Sequence, residues 1–422
     1  MDSHGSEKKQ IIKQGRYQQL LALFIVLTGF CVSLFVIRFV NAKSNDKQIK
    51  LNKKSVTLTV GDSQKLKVTN LPDNAKITWK SSKKSVATVS KKGTVKAKKK
   101  GKTTVKCKIT YGSKKNKTKT LKCKVTVTSK KNNKKSVVYM TKDISPDGLM
   151  AVYQKLNWEA KGKTAVKVST GEPPASHYLD PNLIKDLVQS VDGTIVECNT
   201  AYGGDRSSTA MHRQVAKDHG FTKIADVDIM DSSGSMTLSV KNGTHLKKNY
   251  VGKHFKNYDS FLVLSHFKGH AMAGFGGAIK NISIGIASSK GKSYIHSGGT
   301  STSGFDGEQD AFLESMAEAG KAVSDSLGNG KNIVYVNVMN NLSVDCDCDG
   351  YPAKPKMKDI GILASTDPVA LDQACVDLVY QQKKGDGASL VKRIESLNGL
   401  LTLEYAEKIG LGSRKYSLVD VK

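Results

Sequence analysis

Three histidines, with Lys268 and Lys280 near them, crowd the stretch SHFKGHAMAGFGGAIKNISIGIASSKGKSYIH, residues 265–296, of a chain that holds only nine histidines. Imidazoles bind metals and move protons near neutral pH, and lysines hold anions. His266, Lys268 and His270 alternate, so in an extended segment all three project from one face. Glycines at 269, 274, 276 and 277 let the backbone turn sharply and approach a bound group closely. The competing reading of the same spacing is three surface side chains on a flexible loop.

A second group is Asp345-Cys346-Asp347-Cys348-Asp349. Cysteines two apart bond each other poorly but ligate a metal well, and the flanking carboxylates raise the thiol pKa values, so a metal is needed to favour thiolate. The alternatives are exposed loop residues, or pairing with Cys198 or Cys375. A third group is Asp367, placed before Pro368 as a helix N-cap, with Asp372 one turn further on facing the same cleft.

The elements that must position these residues read as an α/β alternation. Ser260–Ser265 is a continuous apolar strand of the kind buried in a parallel sheet. A helix from Ala278 onward would leave free N–H groups as an anion site. Further strands are expected at 165–169, 194–197, 332–339 and 359–364, with helices at 182–190, 208–219, 308–327 and 368–381. Phe312, Met316, Val323 and Leu327 form a core stripe on the third helix. In a mainly parallel sheet, ligands sit at the carboxyl ends of the strands, where the unusual residues fall.

The 422 residues carry a formal charge of +30, and its distribution decides what it means. Residues 1–42 hold 5 basic and 2 acidic residues, 43–135 hold 30 and 3, and 136–422 hold 32 and 32. A neutral C-terminal two-thirds excludes specific nucleic-acid handling by that part of the chain. Leu20–Ile37 is 18 uncharged, mostly apolar residues preceded by Lys8, Lys9, Lys13 and Arg16. That pattern reads as a single-pass membrane anchor at 17–40 behind a cytoplasmic tail at 1–16, or as a signal peptide cleaved after the small residues at 40–42. Either way the bulk of the chain is expected outside the cytoplasm.

Residues 46–129 alternate apolar and polar side chains in short strands, an all-β sandwich pattern. Cys107 and Cys123 point into its core, as a cross-strand disulfide or as two small buried residues. Its lysines are the outward set, a solvated face or one drawn to anionic cell-wall polymers or lipid phosphates. The runs VTLTVGDSQKL and WKSSKKSVATVSKKGTVKAKKKGKTTV resemble the bacterial immunoglobulin-like group 2 domain, which implies a surface spacer or adhesive module. Residues 130–136 read as a polar linker.

From 137 to 422, the motifs HFKGHAMAGFGGAIKN, DCDCDG and DIGILASTDPVALDQACVDLV resemble the family called domain of unknown function 362. Many of its members carry a ferredoxin-type insertion, but this chain has no CxxCxxC run between His296 and Asn332, which removes the reason to expect an iron–sulfur cluster. The run from His270 to Lys280, followed by His296, is also similar to the nickel-pincer lactate racemase family. That resemblance implies His270 as an acid/base, Lys280 as cofactor anchor and His296 as a metal ligand. It aligns Asp205 of Gly203-Gly204-Asp205-Arg206 with the family's second catalytic histidine, and a carboxylate there weakens a symmetrical two-base exchange.

The expectation is therefore a transmembrane helix, an immunoglobulin-like sandwich and an α/β domain with a mainly parallel sheet. The domain would bind a transition metal or small anionic ligand. Its site would draw on His266, Lys268, His270, Gly274, Gly276, Gly277, Lys280 and His296, with Asp205, Cys346 and Cys348. A racemase-like or redox enzyme acting on a hydroxy acid, and an adhesion protein, are the alternatives.

Overall fold

The computed structural model describes residues 48–112, 117–128 and 135–422, which divide into two compact units, Met1–Asn132 and Asn133–Lys422. The anchor and tail expected at 1–40 and most of the linker at 130–136 lie outside the described residues. Among the described residues no helix is long and apolar enough to cross a membrane.

The first unit is the expected sandwich. A four-stranded sheet runs in the order Ser55–Thr59, Lys117–Thr128, Gly101–Tyr111, Lys76–Ser81, and a three-stranded sheet in the order Ser63–Lys65, Thr94–Ala97, Ala87–Val89. Alternation places Val105, Val125 and Val127 inside with Leu66, Val86 and Val95, while the lysines between them face water. Cys107 and Cys123 are both buried and free. Cys107 stands opposite Leu121 and Cys123 opposite Val105, so the two sulfurs are staggered rather than directly paired. Of the two readings, small core residues is the one observed.

The second unit is organised by an eight-stranded sheet. In chain order the strands are β1 (Ser136–Thr141), β2 (Thr164–Lys167), β3 (Gly193–Glu197), β4 (Val227–Ile229), β5 (Ser260–His266), β6 (Ile333–Met339), β7 (Gly361–Ser365) and β8 (Tyr416–Asp420). They lie side by side as β4-β3-β2-β5-β6-β7-β1-β8. The sheet is mixed: β7 runs antiparallel to both neighbours, β6 and β1, and the other pairings are parallel. Strands β1, β4 and β8 were not anticipated from sequence.

Both faces are covered, as the continuous apolar runs require. Leu262 and Leu264 pack on one side with Leu149, Val152, Ile184 and Leu187 from helices α1 (Pro146–Lys155) and α2 (Pro181–Ser190). Phe261 and Val263 pack on the other with Ile282, Val323 and Val369 from α4 (Ala278–Ser283), α6 (Gln309–Ser326) and α7 (Pro368–Gln381). Helix α3 (Thr209–Asp218) follows β3, and α5 (Ser289–His296) follows α4. The stripe Phe312, Met316, Val323 and Leu327 is buried as expected. Asp367 caps α7, accepting from the backbone N–H groups of Val369 and Ala370 at 3.0 and 3.1 Å.

Candidate functional site

The parallel strands β3, β2 and β5 are neighbours, and their carboxyl ends bring Glu197, Lys167 and His266 to one edge of the sheet. Beyond β5 the chain makes a hairpin, Lys268–His270 paired with Gly274–Gly276, and enters α4. The Asp345–Asp349 loop after β6 and residues of α5 complete a cavity of about 350 Å³. His266, Lys268, His270, Gly276, Gly277, Lys280, His296, Cys346 and Cys348, all singled out from sequence, line it.

The start of α4 is where the structure corrects the sequence reading. Its N–H groups are not free: Ala278 and Ile279 donate to the two oxygens of Asp372 at 2.8 and 2.9 Å, and the Asn337 amide donates to the same carboxylate at 2.8 Å. Asp372 reaches the turn but from beneath it, in the core, with 1% of its surface exposed. Burial pushes its pKa up to about 6 against the pull of these hydrogen bonds. The helix terminus therefore already holds an anion, supplied by the protein itself.

Gly277 follows from this, because a Cβ there would land on the Asp372 carboxylate. Gly274, with φ of +79°, packs against Ile394 and Gly399 rather than the cavity. It serves the hairpin turn, not ligand contact.

Five cationic side chains line the cavity, Lys167, Arg206, Lys268, Lys280 and Lys292, against two carboxylates, Glu197 and Asp347. Three of the five are paired. Lys167 Nζ lies 2.8 Å from Glu197 Oε2, Lys268 Nζ 2.7 Å from Asp347 Oδ1, and Arg206 Nε 2.9 Å from Glu172 Oε2. Burial raises the Glu197 pKa, but Lys167 and its cationic neighbours outweigh that and hold it down at about 2. Asp347 is likewise opposed by burial and held well below the usual carboxylate range by Lys268 and His266.

The other two cations differ. Lys292 donates to the Ala287 carbonyl at 2.7 Å. Lys280 has no hydrogen-bond or carboxylate partner among the described residues. Burial, followed by the repulsion of Lys167, lowers its pKa to about 8.

The three histidines are held by different hydrogen bonds, which set where each carries its proton. His266 Nε2 donates to the Asn340 carbonyl at 2.7 Å, and its buried Nδ1 lies 3.3 Å from Asp347 Oδ1 without a hydrogen bond. His270 Nδ1 accepts from the backbone N–H groups of Met272 and Ala273 at 3.1 and 2.9 Å, which leaves the neutral ring its proton on Nε2. Burial and Lys280 keep that ring neutral, holding its pKa well below the usual value. His296 is the reverse case: Nδ1 donates to the Lys292 carbonyl at 2.7 Å, leaving Nε2 with its lone pair. Its ring stacks on Phe312, and burial lowers its pKa to about 4.

Cys346 and Cys348 are joined as a disulfide, against the expectation that cysteines two apart would not bond. Arg393 pairs with Asp345, just before the bridge, and Lys268 with Asp347, between its two cysteines. Cys198 and Cys375 are free and buried. Ligand atoms of His270, Cys346 and Cys348 lie within 4.8 Å of one another, a grouping able to take a metal only once the bridge is reduced. Asp205 is exposed outside the cavity, where its backbone N–H donates to Glu172; the side chain of the next residue, Arg206, turns inward instead.

Lys167, Glu197, Arg206 and Lys292 were missed from sequence. A signal existed for two of them: Lys167 and Glu197 end otherwise apolar, buried strands, and a buried charge demands a partner.

Fold and site together define an α/β domain with a lysine-lined cavity at the carboxyl edge of its sheet, accompanied by an immunoglobulin-like module. Residues 164–377, just over half the chain, match the family described as domain of unknown function (DUF362), and the chain belongs to that family. Residues 47–120 match the bacterial Ig-like domain (group 2).

No curated protein matches the chain. Among solved structures it is similar to the lactate racemase apoprotein from Thermoanaerobacterium thermosaccharolyticum, at 15% identity and a TM-score of 0.37, covering 64% of this chain and 61% of that one. A protein from Thermotoga maritima gives 10% identity and a TM-score of 0.33, covering 62% and 58%. Domains 1–6 of the surface layer protein SbsC give 22% identity and a TM-score of 0.17, covering 22% of this chain and 14% of that one. The chain thus spans less than two thirds of each of these relatives.

Proposed function

We propose that the α/β domain binds a small anionic molecule, a carboxylate or phosphate, in the cavity beneath the Cys346–Cys348 loop. The observation that carries this is Lys280, an amine without a partner among the described residues, set among four more cations beside a helix start whose N–H groups Asp372 has already taken. Like charges crowded into a low-dielectric space are costly unless an anion joins them. A volume of about 350 Å³, with Met272, Ile284 and Phe305 in the wall, suits a molecule of a few heavy atoms carrying one or two charges. His270 Nε2–H offers a neutral donor to an oxygen of that molecule. A panel of small carboxylates and phosphates, screened by thermal shift on the intact chain and on Lys280→Met, tests the reading. A ligand that stabilises the first and not the second supports it, and no stabilisation by any member counts against it.

A metal-dependent reaction on a hydroxy acid is a second reading, favoured by His296, whose Nδ1–H is held by a carbonyl and whose Nε2 is open, the usual arrangement of a metal-ligating imidazole. Lys280, unpartnered, also suits the anchor role that the racemase resemblance implies. The proton-transfer pair does not fit: His270 has its acceptor nitrogen occupied and Asp205 lies outside the cavity. No proton-exchange step is therefore derived for this chain.

The envelope setting belongs to the same proposal. The apolar run at 20–37 and a disulfide in the cavity loop both suit a chain tethered to the membrane with its folded units outside the cytoplasm. Protease treatment of intact cells that spares both units would count against it.

A further inference from the structure

The outer face of the four-stranded sheet carries a ladder of lysines. Lys80 stands directly opposite Lys106, and Lys106 directly opposite Lys122, so one row crosses three adjacent strands. All three are exposed, and Lys102, Lys108 and Lys124 extend the same face along the strands. Threonines 78, 104, 120 and 126 fill the positions between them. The described part of this unit holds only two acidic residues, Asp62 and Asp73, and neither is on these strands.

Like charges directly opposite one another weaken a sheet, so the folded module carries this row at a cost. Adjacent strands are about 4.8 Å apart and alternate residues about 6.8 Å apart. The lysines therefore spring from a two-dimensional grid of positions on one face of the sheet. A groove bounded by Lys80, Lys84, Lys106 and Lys108 runs beside Thr78 and Thr120.

We propose that this face is a docking surface for a linear phosphate polymer laid across the Lys80–Lys106–Lys122 row. Charge complementarity selects a polyanion. The chemistry of the face then selects among polyanions. Its outward positions carry no aromatic ring, and the ring beside the groove, Trp79, alternates inward and packs against the core, so no row of rings is offered to successive bases, which disfavours a single-stranded nucleic acid. It also presents no apolar side chain to enter a bilayer, which disfavours a lipid surface. Amines and hydroxyls alone match phosphate oxygens on a flexible chain. The inference stands on the first unit only and is independent of the cavity.

The test uses the full chain and long-chain inorganic polyphosphate, titrated by calorimetry at low and at moderate salt. A triple variant, Lys80→Gln, Lys106→Gln and Lys122→Gln, is compared with a control triple on the other sheet and its adjoining turn, Lys65→Gln, Lys91→Gln and Lys96→Gln. Both remove the same charge. The ladder variant is expected to lose about tenfold or more in affinity, with the salt dependence flattened by about two to three counterions, and the control to lose about threefold at most. Its melting temperature should equal or exceed that of the parent, since repulsion is removed. Equal losses in the two triples would overturn the proposal, as would binding to phosphatidylglycerol vesicles or single-stranded DNA but not to polyphosphate. If the ladder triple melts early, the single variant Lys106→Gln, central in the row, decides by the same comparison.

Discussion

Replacing Lys268 by methionine removes the amine from one of the most buried ion pairs in the domain. Lys268 is 1% exposed and Asp347 5% exposed, with 2.7 Å between charged atoms. Methionine keeps most of the stem's volume, so the main effect is a carboxylate left without its ammonium partner, with the His266 ring 3.3 Å away. Stranding a buried charge in this way costs about 3–5 kcal/mol, more than the intact pair contributes over an apolar replacement. Adding Asp347→Asn should therefore restore most of the loss and leave a net cost of about 1–2 kcal/mol. Trp79 and Trp158 are the two tryptophans, one in each unit. Urea denaturation in a Trp79→Phe background, followed by Trp158 emission, thus isolates the α/β transition. The Asp347 pKa is depressed on folding, so its stabilisation is present above the unfolded value of about 4 and is lost as pH falls below it. The gap between parent and Lys268→Met should accordingly narrow in acid. A single variant costing under about 1 kcal/mol, or a double variant as unstable as the sum of its parts, would refute the account of Lys268 and Asp347 as a buried pair whose members depend on each other.

Three other outcomes are expected. Asp372 has a raised pKa of about 6, so its burial cost is absent in acid and grows in as pH rises through that value. The stability of the parent relative to Asp372→Asn should therefore fall by about 2 kcal/mol between pH 4 and pH 7, measured by urea melts at each pH. Gly277→Ala drives a Cβ onto the Asp372 carboxylate and should destabilise by about 1–3 kcal/mol, whereas Gly203→Ala, with nothing within 4 Å of its new methyl, should change stability by under about 1 kcal/mol. Thiol titration of the native chain should gain two reactive groups after mild reduction, both lost in Cys346→Ser/Cys348→Ser, because Cys107, Cys123, Cys198 and Cys375 are buried.

Much of the architecture was legible because periodicity reports burial directly. The strand at 260–265, the stripe on α6 and the alternating strands of the Ig-like module are each a pattern that only one environment explains. The edge strand β8 was not legible: Tyr416–Asp420 is half-exposed, and its place beside β1 is set by pairing across more than 270 residues. The cavity was legible as a set of residues but not as chemistry. His266, His270 and His296 look equivalent in sequence, and their roles diverge through backbone groups, the Asn340 and Lys292 carbonyls and the Met272 and Ala273 amides, which no motif encodes. The N–H groups of α4 looked free because the carboxylate that takes them comes from Asp372, nearly one hundred residues on. Asp205 was placed in the site by alignment with a motif, and the turn that makes it exposed aims its neighbour Arg206 inward in its stead.

The central claim is that an anion completes the cationic cavity at Lys280. Its most direct test is the ionisation of that one amine, followed by NMR after isotopic methylation of the chain's lysines and assigned with Lys280→Arg. The account predicts titration near pH 8 in the free chain and a rise of at least one unit when a small carboxylate or phosphate from the panel binds, with that binding weakened by Lys280→Met. An amine that titrates near its ordinary value of about 10.4, or one unmoved by an anion that binds the chain equally well without it, would contradict it.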